Sequence, residues 1–176
     1  PWLDPIMFWI SQTFFWLPLY LFLLYLMIKY FKKDAWIVLI GIAVAILLTD
    51  RITSGFMKPF FERLRPSREP SLEGLVHLVK NYYTGKYPYK GGVFGFASSH
   101  AANTFATATF FWLVFRHRYQ WMWVLFIWAI VMTYTRIYLG VHYPGDILVG
   151  MLIWLGAGWI GYKIQQWIWN KKVKPG

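Results

Sequence analysis

The chain contains no cysteine, and only seven of its 176 residues are aspartate or glutamate. Without cysteine there is no disulfide framework, no thiolate nucleophile and no cysteine metal site. The few acids include no close pair and no histidine-rich cluster, so a metal site of any other kind is also poorly supported. The sequence therefore predicts chemistry that proceeds without a bound metal.

Basic residues, in contrast, are abundant, and the formal net charge at pH 7 is +11. In a soluble protein such a charge would suggest a nucleic-acid partner. Here apolar residues make up 58% of the chain, against about 45–50% in soluble domains. Lysines and arginines that flank membrane spans and face anionic headgroups explain the charge better. We therefore expect an integral membrane protein whose partners are the bilayer and a lipid, with no nucleic acid; the oligomeric state is left open.

Long apolar stretches alternate with short basic breaks along the chain. About 20 apolar residues cross a bilayer as a helix, and this pattern favours helices over a barrel. We predict an all-α, polytopic transmembrane helix bundle that forms a single domain over residues 1–176. Because the first residue is Pro1 rather than methionine, the sequence leaves open a preceding segment or a further span. The five predicted spans are 6–28, 35–57, 98–115, 119–139 and 144–169.

Residues 58–97 separate the second and third spans and are rich in proline, glycine, tyrosine and mixed charges. We expect a loop with a short amphipathic helix at the membrane interface. The opposite ends of the spans carry more basic residues, and the more positive side normally faces the cytoplasm. The loop 58–97 is therefore expected on the non-cytoplasmic side. The basic residues that set this orientation are Lys29, Lys32, Lys33, Arg116, Arg118, Lys171 and Lys172.

Three groups of charged or titratable residues fall at the non-cytoplasmic ends of the predicted spans. Lys58 and Arg65 follow the second span, and His100 opens the third. Arg136 and His142 lie at the end of the fourth span and in the next turn. Charged side chains beside a bilayer are costly and usually mark function. The predicted topology brings all three groups to one face, which is what a shared site requires.

The residue types in these groups suit a phosphate. A phosphate monoester carries close to two negative charges, and fixed cations supply much of the catalysis of phosphoryl transfer. Lys58, Arg65 and Arg136 are three such cations, and arginine can bind phosphate oxygens in a bidentate manner. The backbone N–H groups of residues 98–100, at the start of a helix, would add an anion site. Taken singly, interfacial lysines and arginines more often contact lipid headgroups only.

His142 is the better candidate nucleophile of the two histidines. Asp146 lies four residues later, just past Pro144, as suits the first turn of the fifth span. A carboxylate on one ring nitrogen would fix the tautomer and leave the other nitrogen free to attack phosphorus. His100 would then be the general acid for the leaving oxygen. The expected route passes through a phospho-histidine intermediate, which water later hydrolyses.

Polar residues inside the third span share a helical face with His100. Asn103, Thr104 and Thr107 follow it at intervals of three, four and seven residues. Such a stripe could line the site, but hydrogen bonding between helices is common in membranes. We interpret these three residues as structural.

Taken in order, the three groups resemble the type 2 phosphatidic acid phosphatase superfamily, whose pattern is K-x6-R-P, then P-S-G-H, then S-R-x5-H-x3-D. The first motif is matched in full by Lys58, Arg65 and Pro66. The match to the whole pattern covers about half of the chain, from residue 58 to residue 146. In the second motif Ser98 and His100 match, and Ala97 and Ser99 replace proline and glycine. In the third motif Arg136, His142 and Asp146 match, and Thr135 replaces serine.

The resemblance implies a helical core, no cofactor and a metal-independent phosphatase. It implies His142 as the nucleophile, Asp146 as its orienting partner and His100 as the general acid. The phosphate-binding residues that it implies are Lys58, Arg65, Ser98, Ser99 through its backbone N–H, and Arg136.

Membrane members of this superfamily act on lipid phosphates. The resemblance therefore implies a substrate such as undecaprenyl pyrophosphate, lipid A 1-phosphate, phosphatidylglycerol phosphate or phosphatidic acid. The first two fit best an outward-facing site in the inner membrane of a bacterium, with the reaction on the periplasmic side. Two alternatives stay open: a lipid phosphotransferase with the same phospho-enzyme, and a non-catalytic channel or assembly subunit, which the order of the motifs disfavours.

Overall fold

The computed structural model describes residues 2–173, so Pro1 and residues 174–176 of the predicted domain lie outside the described residues. Within this range the chain forms helices and no β-strand, apart from a single bridge between Leu64 and Phe94. The predicted all-α class is confirmed. The helices are α1 (Asp4–Ile10), α2 (Leu17–Phe31), α3 (Ala35–Asp50), α4 (Lys58–Phe61), α5 (Ser99–Phe115), α6 (Val124–Tyr138) and α7 (Pro144–Val173).

Within residues 2–173, three helical stretches are long and apolar enough to cross a membrane: Thr13–Phe61, Gln120–Tyr138 and Pro144–Lys172. The first stretch contains both α2 and α3, which meet at Lys32, where φ is +47°. Helix α5 lies outside these three stretches and has 17 residues, slightly fewer than the roughly 20 that span a bilayer. The chain is thus a membrane protein, but the predicted number of five spans is not confirmed.

The first predicted span, residues 6–28, is not one continuous helix, and this prediction is wrong. α1 ends at Ile10, and Gln12 is extended before a 3₁₀ turn leads into α2. The Ser11 hydroxyl and the Gln12 side-chain amide both donate to the carbonyl of Phe8, at 2.7 and 3.0 Å. Side chains that bond locally to the backbone compete with helix continuation in this way.

The helix of the second predicted span, residues 35–57, continues beyond its predicted end. A π-helical segment, Arg51–Met57, joins α3 to α4, and the helix stops at Glu62, where φ is +46°. Between α4 and α5 the chain forms only the 3₁₀ turns Pro66–Arg68 and Pro70–Leu72. Within the predicted loop, residues 58–97, the structure thus has the four-residue helix α4 and two 3₁₀ turns. Prolines, which lack an N–H donor and restrict the preceding residue, work against a longer helix there.

Three helices, α3, α5 and α7, form the central packing unit. Glycines allow close approach between them, as is common in membrane helix pairs. A Cβ on Gly158 of α7 would lie 2.9 Å from the carbonyl oxygen of Ala106 on α5. A Cβ on Gly150 would lie 2.7 Å from the carbonyl oxygen of Ser98. This contact brings the N-terminal ends of α5 and α7 together, where two of the three motifs lie.

The loop between α4 and α5, residues 62–98, packs against the turn between α6 and α7. Val79 of the loop is fully buried together with Phe8 of α1 and with Leu139 and Val141 of the turn. Asp4 accepts hydrogen bonds from Tyr138 at 2.7 Å and from His77 at 3.0 Å. α1 and this loop therefore stabilise the turn that carries His142.

Candidate active site

His142 lies in the short turn between α6 and α7, which the backbone holds in a defined shape. The N–H groups of Val141 and His142 both donate to the carbonyl of Arg136, at 3.1 and 3.2 Å. Gly140 has φ +64°, and a Cβ there would lie 2.9 Å from the carbonyl oxygen of His77. Glycine is therefore required at this turn, both by its backbone conformation and by the space available.

The ring of His142 lies between the carboxylate of Asp146 and the guanidinium of Arg65. Its Nδ1 lies 3.3 Å from Oδ2 of Asp146, and its Nε2 lies 3.4 Å from Nη1 of Arg65. An ionised carboxylate can only accept a hydrogen bond and a guanidinium can only donate. The contacts therefore favour the tautomer with the proton on Nδ1, which leaves a lone pair on Nε2.

Arg65 is itself buried, with 8% of its surface exposed. Its Nε donates to the carbonyl of Phe94 at 3.2 Å, and its Nη1 to that of Val141 at 3.3 Å. Burial, reinforced by the charge of Arg136, lowers the pKa of Arg65 to about 10. The guanidinium thus stays charged at neutral pH, as an anion-binding group must.

Burial is also the main cause that lowers the pKa of His142 below its ordinary value of 6.5. The cations Arg65 and Arg136 act in the same direction, and the hydrogen bond with Asp146 opposes them. The ring is therefore neutral at pH 7 in the free protein. This is the form in which Nε2 can act as a nucleophile.

The start of α5 holds the second motif. Ser98 is the N-cap, its Oγ accepting from the N–H of Ala101 at 3.4 Å. Its own N–H donates to the carbonyl of Asp146 at 3.0 Å. Ser98 thus links the first turns of α5 and α7, in addition to lying where a phosphate contact was predicted.

Lys58 is oriented by hydroxyl groups. Its Nζ donates to Oγ of Ser99 at 2.7 Å and to Oγ of Ser54 at 3.1 Å. Ser54 and Thr53 also hydrogen-bond to Ser99, at 2.8 and 2.9 Å. The resemblance implies a role for Ser99 through its backbone N–H, whereas in the structure its hydroxyl also belongs to a side-chain network. The spacing of four residues between Ser54 and Lys58 was the available signal.

Arg136 is 3% exposed, and its Nε has no hydrogen-bond partner among the described residues. A buried donor without a partner is uncommon and is expected where a ligand supplies the missing acceptor. Its charge acts on His100, His142 and Arg65. The third predicted cation thus belongs to the same cluster as the other two.

A cavity of about 630 Å³ opens beside these residues. One end is lined by five of the predicted site residues, Lys58, Arg65, Ser99, His100 and His142. Asp146, Ser98 and Arg136 are buried next to it. The rest of the wall is largely apolar and comes from α2, α3, α5 and α6, through residues such as Met27, Ile42, Phe111, Trp128 and Met132.

The polar stripe of α5 has two kinds of contact. Asn103 accepts a hydrogen bond from Thr49 of α3, which is the helix-to-helix bond that we predicted. Thr104 and Thr107 instead donate to carbonyls of their own helix, each at 2.8 Å. All three α5 residues also line the cavity.

Arg63 also contacts the site and has no counterpart in the predicted set. Arg63 donates from Nη1 to Oδ1 of Asp146 at 3.1 Å. It stands between the two charged positions of the first motif, but no spacing rule singles it out. Among residues 2–173, no three His, Cys, Asp or Glu side chains come together in a group that could hold a metal.

Comparisons with known proteins identify the family. The model of the PAP2 superfamily matches residues 34–170. The chain is 39% identical to a lipid A 4′-phosphatase of Bacteroides thetaiotaomicron over 151 residues, which cover 85% of the chain and 64% of that relative. It is 35% identical to a lipid A 4′-phosphatase of Porphyromonas gingivalis over 168 residues, which cover 93% of the chain and 66% of that relative. The chain therefore spans slightly less than two thirds of the length of either relative.

A solved structure is similar over almost the whole fold. The crystal structure of Aquifex aeolicus LpxE matches with a TM-score of 0.60 and 27% sequence identity, over 93% of this chain and 87% of that one. The helical fold is thus shared with a protein of known structure.

Proposed function

The chain belongs to the PAP2 superfamily, and on that basis we propose that it is a membrane phosphatase that hydrolyses a lipid phosphate through a phospho-histidine intermediate. The observation that carries the proposal is the position of His142. Its ring lies between Asp146 and Arg65, beside a cavity whose wall carries the cations Lys58 and Arg65 and is otherwise largely apolar. A phosphate ester on a lipid has this same division between a charged end and an apolar body.

The reaction begins with the neutral ring. Nε2 of His142 attacks phosphorus, the bond between phosphorus and the lipid oxygen breaks, and His100 gives that oxygen a proton. Arg65, Lys58 and Arg136 hold the phosphoryl oxygens, whose charge spreads in the transition state. Asp146 stabilises the positive charge that develops on the ring.

Water completes the turnover. His100, now without its proton, accepts one from the attacking water molecule. The bond between Nε2 and phosphorus breaks, inorganic phosphate leaves, and Nε2 regains its lone pair. The three cations supply the charge stabilisation that a metal gives in other phosphatases, and we propose that the reaction is independent of metal ions.

The first substrate class to consider is lipid A with a phosphate at the 4′ position. The two relatives that match most of the chain carry that name, whereas the resemblance of the motifs implied the 1-phosphate. Undecaprenyl pyrophosphate, phosphatidylglycerol phosphate and phosphatidic acid are the competing substrates. We further propose that the site faces the periplasm across a bacterial inner membrane, because the basic turns at Lys32, Lys33, Arg116 and Arg118 lie at the opposite ends of the helices.

A panel of phosphate-release assays tests this proposal. Purified protein in detergent micelles is offered each of these lipids, with and without EDTA, and with His142→Ala as the inactive control. We expect release of inorganic phosphate that EDTA leaves nearly unchanged and that vanadate, a mimic of pentacoordinate phosphorus, inhibits. Consumption of the lipid without free phosphate would indicate a phosphotransferase, and strong inhibition by EDTA would contradict metal independence.

A further inference from the structure

Arg63 makes two contacts that fix its guanidinium group. Its Nη1 donates to Oδ1 of Asp146 at 3.1 Å, and its Cζ lies 4.1 Å from the centre of the Tyr143 ring. Its backbone carbonyl also accepts from the N–H of Gly95 at 2.9 Å. An arginine that is stacked on an aromatic ring loses little freedom on forming a hydrogen bond. The group is therefore held in place before any substrate arrives.

The other carboxylate oxygen of Asp146 contacts two groups of the turn. Oδ2 accepts from the N–H of Tyr143 at 3.0 Å and lies 3.3 Å from Nδ1 of His142. The carboxylate is fully buried, and a Cβ on Gly95 would lie 3.1 Å from Oδ2. Rotation of the carboxylate about its last bond would exchange its oxygens and change their alignment with the histidine. Arg63 is the group that opposes this rotation, because it alone holds Oδ1 among the described residues.

We propose that Arg63 is a positioning residue for the reaction, which holds the Asp146 carboxylate by Oδ1 so that Oδ2 stays in line with Nδ1 of His142. This inference rests on the proposed function, in which His142 is the nucleophile. Arg63 needs no contact with the substrate for this role. Its side chain is 45% exposed while its partner is fully buried, so the pair extends from the interior of the protein to its surface.

The charge of Arg63 has a second consequence. The charged or titratable groups that face His142 are Arg65 from the loop, Arg136 from α6, His100 from α5 and Asp146 from α7. Arg63 compensates part of the charge of Asp146. Without it the carboxylate attracts the proton on His142 more strongly, so the ring stays protonated, and unreactive, up to a higher pH.

The test compares Arg63→Gln and Arg63→Lys with the wild type in the phosphate-release assay, using the lipid that turns over fastest. For Arg63→Gln we expect kcat to fall about ten- to a hundredfold, as for a misplaced catalytic group, with KM changed less than about twofold. The acidic limb of the pH profile of kcat should move to higher pH. Arg63→Lys should restore the position of that limb more than it restores kcat, since lysine keeps the charge but not the flat stacked geometry.

Arg118→Gln is the matched control. Arg118 also lies over a tyrosine, 4.4 Å from the ring centre of Tyr30, but in the turn between α5 and α6, at the other end of the helices. It should leave both kcat and the pH profile unchanged. A second variant, Tyr143→Leu, removes the ring under Arg63 and keeps the backbone N–H on Asp146. It should act in the same direction, and the double variant should lose little more than Arg63→Gln alone.

The outcomes separate the two proposals. Activity that persists in His142→Ala would overturn the proposed function. An inactive His142→Ala, together with Arg63→Gln and Tyr143→Leu that both match the wild type in kcat and pH profile, would overturn the positioning role alone. A rise of KM at constant kcat would also contradict it, because Arg63 would then bind the substrate. If Arg63→Gln does not fold, Tyr143→Leu and Arg63→Lys decide the question by the same measurements.

Discussion

Nδ1 of His142 lies 3.3 Å from Oδ2 of Asp146, and both side chains are almost completely buried. The two residues are four apart, but Pro144 separates the turn that carries the histidine from the first turn of α7 that carries the acid. In such a dry setting a carboxylate acts strongly on a neighbouring charge. The contact therefore orients the ring and stabilises the charge that attack on phosphorus would create.

Asp146→Asn should inactivate the protein without unfolding it. The amide fills the same space but can present its NH₂ group to Nδ1, which would favour the wrong tautomer of His142. We expect kcat to fall on the order of a thousandfold or more, as in other histidine–acid pairs, with little change in KM. Steady-state phosphate release measures both constants, and a loss of less than about tenfold would contradict the assigned role.

The pH profile should reflect the environment of His142. Because burial and two arginines lower the pKa of this ring, its neutral, reactive form persists at pH values below 6.5 and disappears only when the pH falls through the lowered pKa. The acidic limb of kcat/KM, which reports the free protein, should therefore lie below pH 6.5. A limb clearly above that value would mean that Asp146 outweighs burial and the arginines.

Gly91→Ala should weaken substrate binding by displacing Arg65. Gly91 has φ +64°, and a Cβ there would lie 2.9 Å from Nη1 of Arg65. Gly85→Ala is the control, since it has φ +72° with nothing within 4 Å of the added atom. Both variants carry backbone strain of about 1 kcal/mol, but only the first should raise KM or lower kcat/KM, by about tenfold. Equal kinetics for the two variants would contradict the assigned position of Arg65.

Gly158→Ala should destabilise the packing between α5 and α7. The added methyl group would lie 2.9 Å from the backbone oxygen of Ala106, and overpacking of this kind costs about 1–3 kcal/mol. Gly156→Ala, on the same helix with nothing within 4 Å, should instead be neutral or slightly stabilising, because alanine favours helix. Thermal unfolding in detergent compares the two variants, and an equal midpoint would argue against close contact of the helices.

The proposed orientation of the chain in the membrane can be tested by cysteine labelling, because the sequence contains no cysteine. A single cysteine introduced at Gly85, in the loop between α4 and α5, should react with a membrane-impermeant maleimide added to whole cells. One introduced at Lys33, between α2 and α3, should react only after the cells are opened. The reverse pattern would place the candidate site on the cytoplasmic side.

The parts of the site that could be predicted from sequence are those set by local geometry. Asp146 follows His142 at the spacing of a helical turn, and residues 98–100 lie at the start of a helix. Lys58, Arg65 and the histidines were placed on one face because each motif follows or precedes an apolar stretch. Each of these inferences needed only the period of a helix and the length of a span.

The remaining contacts depend on segments that are distant in sequence. Arg63 and Asp146 are 83 residues apart, and Lys58 and Ser99 are 41 apart, so no local pattern reports either pair. The same holds for the break between α1 and α2, where two side chains bond to the carbonyl of Phe8 in a stretch that is apolar enough for a span. Hydrophobicity predicts membrane segments well but does not report such competition.

The most direct test of the account is to trap the phosphoryl group on the protein. Purified protein is mixed with lipid phosphate that carries ³²P in the scissile group, and the reaction is quenched within one turnover. We predict a labelled protein whose bond is stable in base and labile in acid, as a phosphoramidate is, with the label on the peptide that contains His142 and none in His142→Ala. Release of labelled phosphate at full rate from a protein that never carries label, or label on another residue, would contradict the proposed nucleophile.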